Sequence, residues 1–180
     1  MLNPGDKKAI AILVLVAVVF VAVVGGTVAT LVATGNSHRE KGYAQLAVGD
    51  RLHRIEPAMW CTVYGGDCVT DPGIHRVPVP PGTSVVLSVS REIAEGPWGL
   101  VTQYAHADGT VIDDNPQPHL QLSGETYTVV LPSRPDQVLV NIEIQPLSVS
   151  VQGDEIALRG LLAVDTTPVG MTLRAGTPAR

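Results

Sequence analysis

Reactive chemistry in this sequence would rest on two cysteines, five histidines and the aspartates around Asp113. Cys61 and Cys68 enclose six residues in CTVYGGDC. In an exported domain, a close and even pair of this kind reads as a disulfide. Gly65-Gly66 lets the ring double back, and closing so small a loop contributes about 2.5 kcal/mol. Such a bridge staples a loop; it does not hold a fold together. The histidines are His38, His53, His75, His106 and His119, and none stands at H-x3-H or H-E-x-x-H spacing. Asp108, Asp113 and Asp114 with Asn115 superficially resemble a calcium loop, but the glycine and glutamate positions of an EF-hand are not matched, and a hairpin rich in turn formers accounts for them better.

Nucleophilic catalysis needs an activated Ser or Cys with a base in reach. No G-x-S-x-G elbow occurs, and both cysteines are expected to be oxidised. Phosphate-binding glycine patterns are missing too, and Gly65-Gly66 and Gly96-Pro97-Trp98-Gly99 read as turn punctuation. Neither an enzyme nor a cofactor nor a metal is therefore expected. Trp60 and Tyr64, beside Met59, form a candidate partner-binding patch, although core packing is the commoner fate of a tryptophan such as Trp60.

The element that must position all of this is N-terminal. Residues 9–34, AIAILVLVAVVFVAVVGGTVATLVAT, are 26 residues without a charge. At ~1.5 Å per residue a helix of that length reaches ~39 Å, enough to cross a hydrocarbon core of about 30 Å with some tilt. Lys7 and Lys8 precede the run, and the short N-terminus keeps its lysines inside, so the rest of the chain is expected to be exported. Ala22, Gly26 and Thr30 recur at every fourth position and offer a small-residue helix-packing face. The same small residues also read as the approach to a signal-peptidase site, Ala33-Thr34-Gly35 cut before Asn36, which would release a secreted protein. A secretory apolar core is usually ~7–15 residues, and this one is unbroken from Ala9 to Val24, which favours an uncleaved signal anchor. No cysteine lies near the end of the run, so lipid attachment there is excluded by residue type.

The expected organisation is a short cytoplasmic N-terminus (1–8), a transmembrane helix (9–34), a linker (35–42), an extracytoplasmic domain (43–167) and a flexible tail (168–180). From Asn36 onward 16 Asp and Glu face 10 Lys and Arg, a net charge of −6. That balance argues against nucleic acid as a partner.

Within the domain the pattern is period-2 segments separated by turn residues, with no helix of useful length. Gly49-Asp50 predicts a hairpin between Tyr43–Val48 and Arg51–Glu56. Prolines between Pro57 and Pro81 predict loop or edge around the cysteines. Further strands are predicted at Val85–Val89, Trp98–His106, Thr110–Ile112, Thr126–Leu131, Val138–Gln145 and Leu158–Val164. On Val138–Gln145, the residues Val138, Val140, Ile142 and Ile144 alternate with Leu139, Asn141, Glu143 and Gln145. Seven or eight such strands imply an all-β protein, a single antiparallel immunoglobulin-like or fibronectin-like sandwich. Trp98 is the candidate core tryptophan, and the short Cys61–Cys68 spacing differs from the inter-sheet bridge of a true immunoglobulin domain.

Met59-Trp60-Cys61 with Cys68, Pro81-Gly82 before Val85-Val86-Leu87-Ser88-Val89, Pro97-Trp98, Ala107-Asp108-Gly109, Ile142-Glu143-Ile144-Gln145 and Ala163-Val164-Asp165-Thr166 carry a resemblance. Over Tyr43 to Thr166 the chain resembles an uncharacterised family of mycobacterial and corynebacterial envelope proteins, domain of unknown function family 2771. The resemblance implies an exported protein with a short N-terminal anchor in the space outside the plasma membrane, and supplies no catalytic residues. The expected function is a single-pass, membrane-anchored interaction module that binds other envelope or membrane proteins, as an accessory subunit of a larger complex. The alternative is a sandwich whose cleft binds a small molecule, lipid or cell-wall glycan.

Overall fold

The computed structural model describes residues 17–21, 23, 41–62, 67–71, 73–113, 115–152 and 155–175, with the backbone alone for 149–152 and 155–156. The chain divides into two units, Met1–Glu40 and Lys41–Arg180. In the first, residues 17–21 and 23 are helical, and Val18, Val19, Phe20, Val21 and Val23 are exposed. Among the described residues no helix is long and apolar enough to cross a membrane. Most of the expected span, with Ala22, Gly26, Thr30 and the cleavage site near Gly35, lies outside the described residues.

The second unit contains twelve described strands: β1 (Ala44–Val48), β2 (Arg51–Ile55), β3 (Met59–Cys61), β4 (Cys68–Thr70), β5 (His75–Arg76), β6 (Thr83–Val89), β7 (Trp98–Ala105), β8 (His119–Gln121), β9 (Thr128–Ser133), β10 (Val138–Gln152), β11 (Glu155–Leu158) and β12 (Gly160–Asp165). One sheet has the order β2-β1-β6-β9 and the other β4-β3-β12-β10-β7-β8, with β11 against β10 and β5 against β12. Pairing is antiparallel except between β5 and β12, so the unit is an all-β, sandwich-like pair of antiparallel sheets.

Period-2 patterning explains the layers. Ala44, Leu46, Val85, Leu87 and Leu131 point inward from the smaller sheet, and Trp98, Leu100, Ile142, Ile144, Leu162 and Val164 from the larger, all in one buried cluster. Each fully buried Leu or Ile contributes about 1.5–3 kcal/mol relative to exposure. The Gly49-Asp50 hairpin forms as the sequence predicts, with Gly49 in the left-handed region at φ 60°. A short helix, Arg91–Ala94, carries the chain from β6 to β7 and buries Ile93 and Ala94. β9 is, with β2, one of the two edge strands of the smaller sheet, and it contains Pro132. Gly82 donates to the Ser133 carbonyl at 2.6 Å, so Ser133 turns its backbone polar groups toward β6 and its neighbour Pro132 faces the rim.

Three expectations differ from the structure. Thr110–Ile112 does fold back on β7, with His106 N donating to Thr110 O at 2.8 Å and Ile112 N to Tyr104 O at 2.9 Å. It makes only isolated bridges, Ala105 with Val111 and Thr110 with the C-terminal segment at Arg174, and no regular strand. That segment is also not a free tail as far as Ala175: Val111 donates to the Arg174 carbonyl at 3.0 Å, Arg174 donates to that of Gly109 at 2.9 Å, and Met171 packs on Ala105, Val138 and Val140. Leu139, expected to face outward, is fully buried, because a bulge between Leu139 and Asn141 resets the alternation. Next to the bulge, Thr166 Oγ1 donates to Leu139 O at 2.9 Å, while Val140 O accepts the Thr166 backbone N–H at 3.1 Å and the Thr167 hydroxyl at 3.4 Å.

Candidate binding groove on the outer face of the larger sheet

The cysteines are joined as the spacing predicts. Cys61 lies directly opposite Cys68 in the β3–β4 register, and its N–H is spent on the Arg159 carbonyl at 2.7 Å, on the side away from β4. The pair therefore occupies a narrow, non-hydrogen-bonded site, with Cα atoms 4.0 Å apart.

Trp60 does not form an exposed patch. It is only 7% exposed and belongs to the core cluster, so the partner-binding assignment gives way to packing. Its ring fills space kept open by two glycines. A Cβ on Gly160 would stand 2.7 Å from Trp60 Cε3, and one on Gly42 would stand 2.9 Å from Cζ3. The Arg159 guanidinium covers the ring at 4.9 Å. Tyr64 lies outside the described residues.

The acidic group near Asp113 is used locally. Asp108 Oδ1 accepts from Thr110 N at 2.9 Å, and Asp113 Oδ1 accepts from Asn115 N at 2.9 Å, both turn-forming contacts. Hydrogen bonds from the Thr110 backbone and hydroxyl hold the Asp108 carboxyl below its ordinary value. Asp114 is outside the described residues. His75 Nε2 accepts from Glu56 N at 3.2 Å, a structural contact. Among the described residues no group of three or more His, Cys, Asp and Glu is placed to hold a metal ion.

The concave feature of interest lies elsewhere, on the outer face of β7 and β10. A cleft of about 380 Å³ has Val101 and Gln103 of β7 and Asn141, Glu143 and Gln145 of β10 along its floor. The loop from Asn115 to Pro118 forms its wall. Residues i, i+2 and i+4 of a strand share a face, so Asn141, Glu143 and Gln145 stand in a row while Ile142 and Ile144 between them are buried in the core. Across the sheet, Gln103 pairs with Asn141 and Val101 with Glu143.

The row is internally bonded. Asn141 Nδ2 donates to Glu143 Oε1 at 3.2 Å and Gln145 Nε2 donates to Glu143 Oε2 at 3.4 Å. A carboxylate only accepts, so both amides must turn their NH2 groups to Glu143 and their carbonyl oxygens elsewhere. The same logic orients Gln103, whose Nε2 donates to the Asp113 carbonyl at 3.2 Å, and Gln117, whose Nε2 donates to that of Asn115 at 3.4 Å. The sequence did carry the signal, an amide–carboxylate–amide triplet on alternate residues of its cleanest strand. What it lacked was the wall, since nothing in residues 115–118 says that they fold over β7.

Two antiparallel sheets around one core, with a polar groove on the outer face of the larger, define an all-β, sandwich-like fold. The chain belongs to the family described as protein of unknown function (DUF2771), whose model matches residues 38–166. Neither a curated protein nor a solved structure matches the chain.

Proposed function

We propose that this protein is a membrane-anchored, extracytoplasmic, non-catalytic interaction module of the cell envelope, whose immunoglobulin-like or fibronectin-like sandwich engages another envelope protein through the groove over β7 and β10. The observation that carries the reading is the groove itself: a preformed concavity with oriented polar groups is what a recognition surface requires. Two features support the location. A stable disulfide belongs to an oxidising compartment outside the cytoplasm. The apolar run supplies length for a span, and its described helical residues expose Val18, Val19, Phe20, Val21 and Val23.

The test is a photo-crosslinking amino acid placed at Gln117, on the groove wall, and separately at Asp50, in the β1–β2 turn, in the full chain in its own membranes. A discrete heavier adduct from position 117 and none from position 50 is expected. Monomer from both positions overturns the reading. A second reading, in which the groove takes a small polar molecule or a cell-wall glycan, is favoured by its volume of about 380 Å³, since small-molecule sites run from about 300 to 1,000 Å³.

A further inference from the structure

The chemistry of the groove narrows what it takes. Four side-chain amides, those of Gln103, Gln117, Asn141 and Gln145, each spend one N–H on a protein acceptor, and no donor among the described residues reaches their carbonyl oxygens. Those oxygens are left to the cavity, together with the lone pairs of Glu143 that its two amide neighbours do not use. Among the described residues Glu143 is the one charged side chain that lines the groove, and none of those lining residues is a Lys, Arg or His that would neutralise it. An acceptor-rich, negatively charged recess calls for a positively charged group with several N–H donors.

The walls narrow it further. Among the described residues no aromatic ring lines the groove, so none of them offers the stacking platform that a sugar face would use. Pro116 and Pro118 present aliphatic ring edges instead, a surface for the methylene stem of a long cationic side chain whose head reaches Glu143. The net charge of −6 beyond Asn36 draws such a group in from solution.

Resting on the reading of this groove as the recognition surface, we infer that it binds a lysine or arginine side chain displayed by a partner protein. Glu143 pairs with the cationic head, the amide oxygens of Asn141 and Gln145 accept its remaining N–H groups, and Pro116 and Pro118 flank its stem.

The test uses the full chain in lipid nanodiscs, with the side-chain amide resonances of Asn141 and Gln145 followed by NMR. Probes are the capped tripeptides acetyl-Gly-Arg-Gly-amide and acetyl-Gly-Lys-Gly-amide, the uncharged acetyl-Gly-Gln-Gly-amide and a neutral disaccharide. At least one basic peptide is expected to shift both residues saturably, and Glu143→Gln to weaken it tenfold or more. The neutral probes are expected to leave the resonances in place. The tighter of the two peptides names the head group as guanidinium or ammonium. A second variant, Gln117→Glu, adds charge at the wall without touching the β10 row, and is expected to tighten the basic peptide severalfold. Equal binding of the disaccharide or the glutamine peptide, with indifference to Glu143→Gln, overturns the cation inference and leaves the groove a binding site. A Gln117 adduct in membranes with no shift by either basic peptide does the same. No shift by any probe together with no adduct overturns both readings.

Discussion

Trp60 and Gly160 face each other across the β3–β12 register, and the ring of the one occupies the space where the other would carry a side chain. A methyl group at residue 160 would also stand 3.1 Å from the Met59 carbonyl oxygen, which belongs to the backbone and yields little. Gly160→Ala is therefore expected to lower stability by about 1–3 kcal/mol in urea unfolding. Gly96→Ala is the contrasting case. Its Cβ would meet nothing closer than the Ile93 carbonyl oxygen at 3.8 Å, and the change should stay within about 0.5 kcal/mol. Equal losses would mean that the ring has room.

Trp98 is fully buried, yet its Nε1 finds no hydrogen-bond partner among the described residues. Truncation to alanine should cost about 3–5 kcal/mol through the cavity it leaves. Trp98→Phe also leaves a smaller cavity, but it removes a buried donor whose desolvation costs about 1–3 kcal/mol, so the two effects oppose. The phenylalanine variant is expected within about 1.5 kcal/mol of the parent. A phenylalanine variant as unstable as the alanine one would show that the indole N–H is hydrogen-bonded after all.

Iodoacetamide should leave Cys61 and Cys68 untouched until reductant is added, as measured by mass spectrometry on protein purified without reductant. Opening the ring is expected to lower stability by about 2.5 kcal/mol. The loss should stop there, because β3 keeps its pairing with β12 and Trp60 stays under Arg159. Free thiols in the native protein would remove the bridge.

Asp108 gives the chain an acid-sensitive contact. Its folded value lies below the ordinary 3.8, so the stabilisation it brings is present above that value and is lost as pH falls through the lower, folded one. The carboxylate holds Thr110, and Thr110 bridges to Arg174, so hydrogen exchange at the amides of Thr110 and Arg174 should quicken below about pH 4. Asp108→Asn keeps an acceptor oxygen and removes the titration, and should flatten that dependence. A profile unchanged by the substitution would assign the effect to another carboxyl.

Much of the strand layout was legible because burial on one face forces alternation: the 44–55 hairpin, the inward set of β6 and the core position of Trp98 all follow from it. Leu139 was not legible. A bulge breaks the period without leaving a mark in the residue types, and the groups that bond beside it, the hydroxyls of Thr166 and Thr167 and the Thr166 N–H, are distant in sequence. The strands β8 and β5 were missed for another reason: at three and two residues they are too short to show a period. The groove fell between these cases. Its row of Asn141, Glu143 and Gln145 reads directly from the alternation, whereas the loop that turns a flat row into a recess is decided by tertiary packing alone.

Pro132 has a meaning beyond its own strand. A sheet margin whose amides all point outward invites another polypeptide to zip onto it, and here the pyrrolidine ring deletes a hook from the rim that would receive such a guest. Copies of this molecule crowded side by side are thereby discouraged from growing into fibres along that margin, and the safeguard is covalent, in place before the chain has folded.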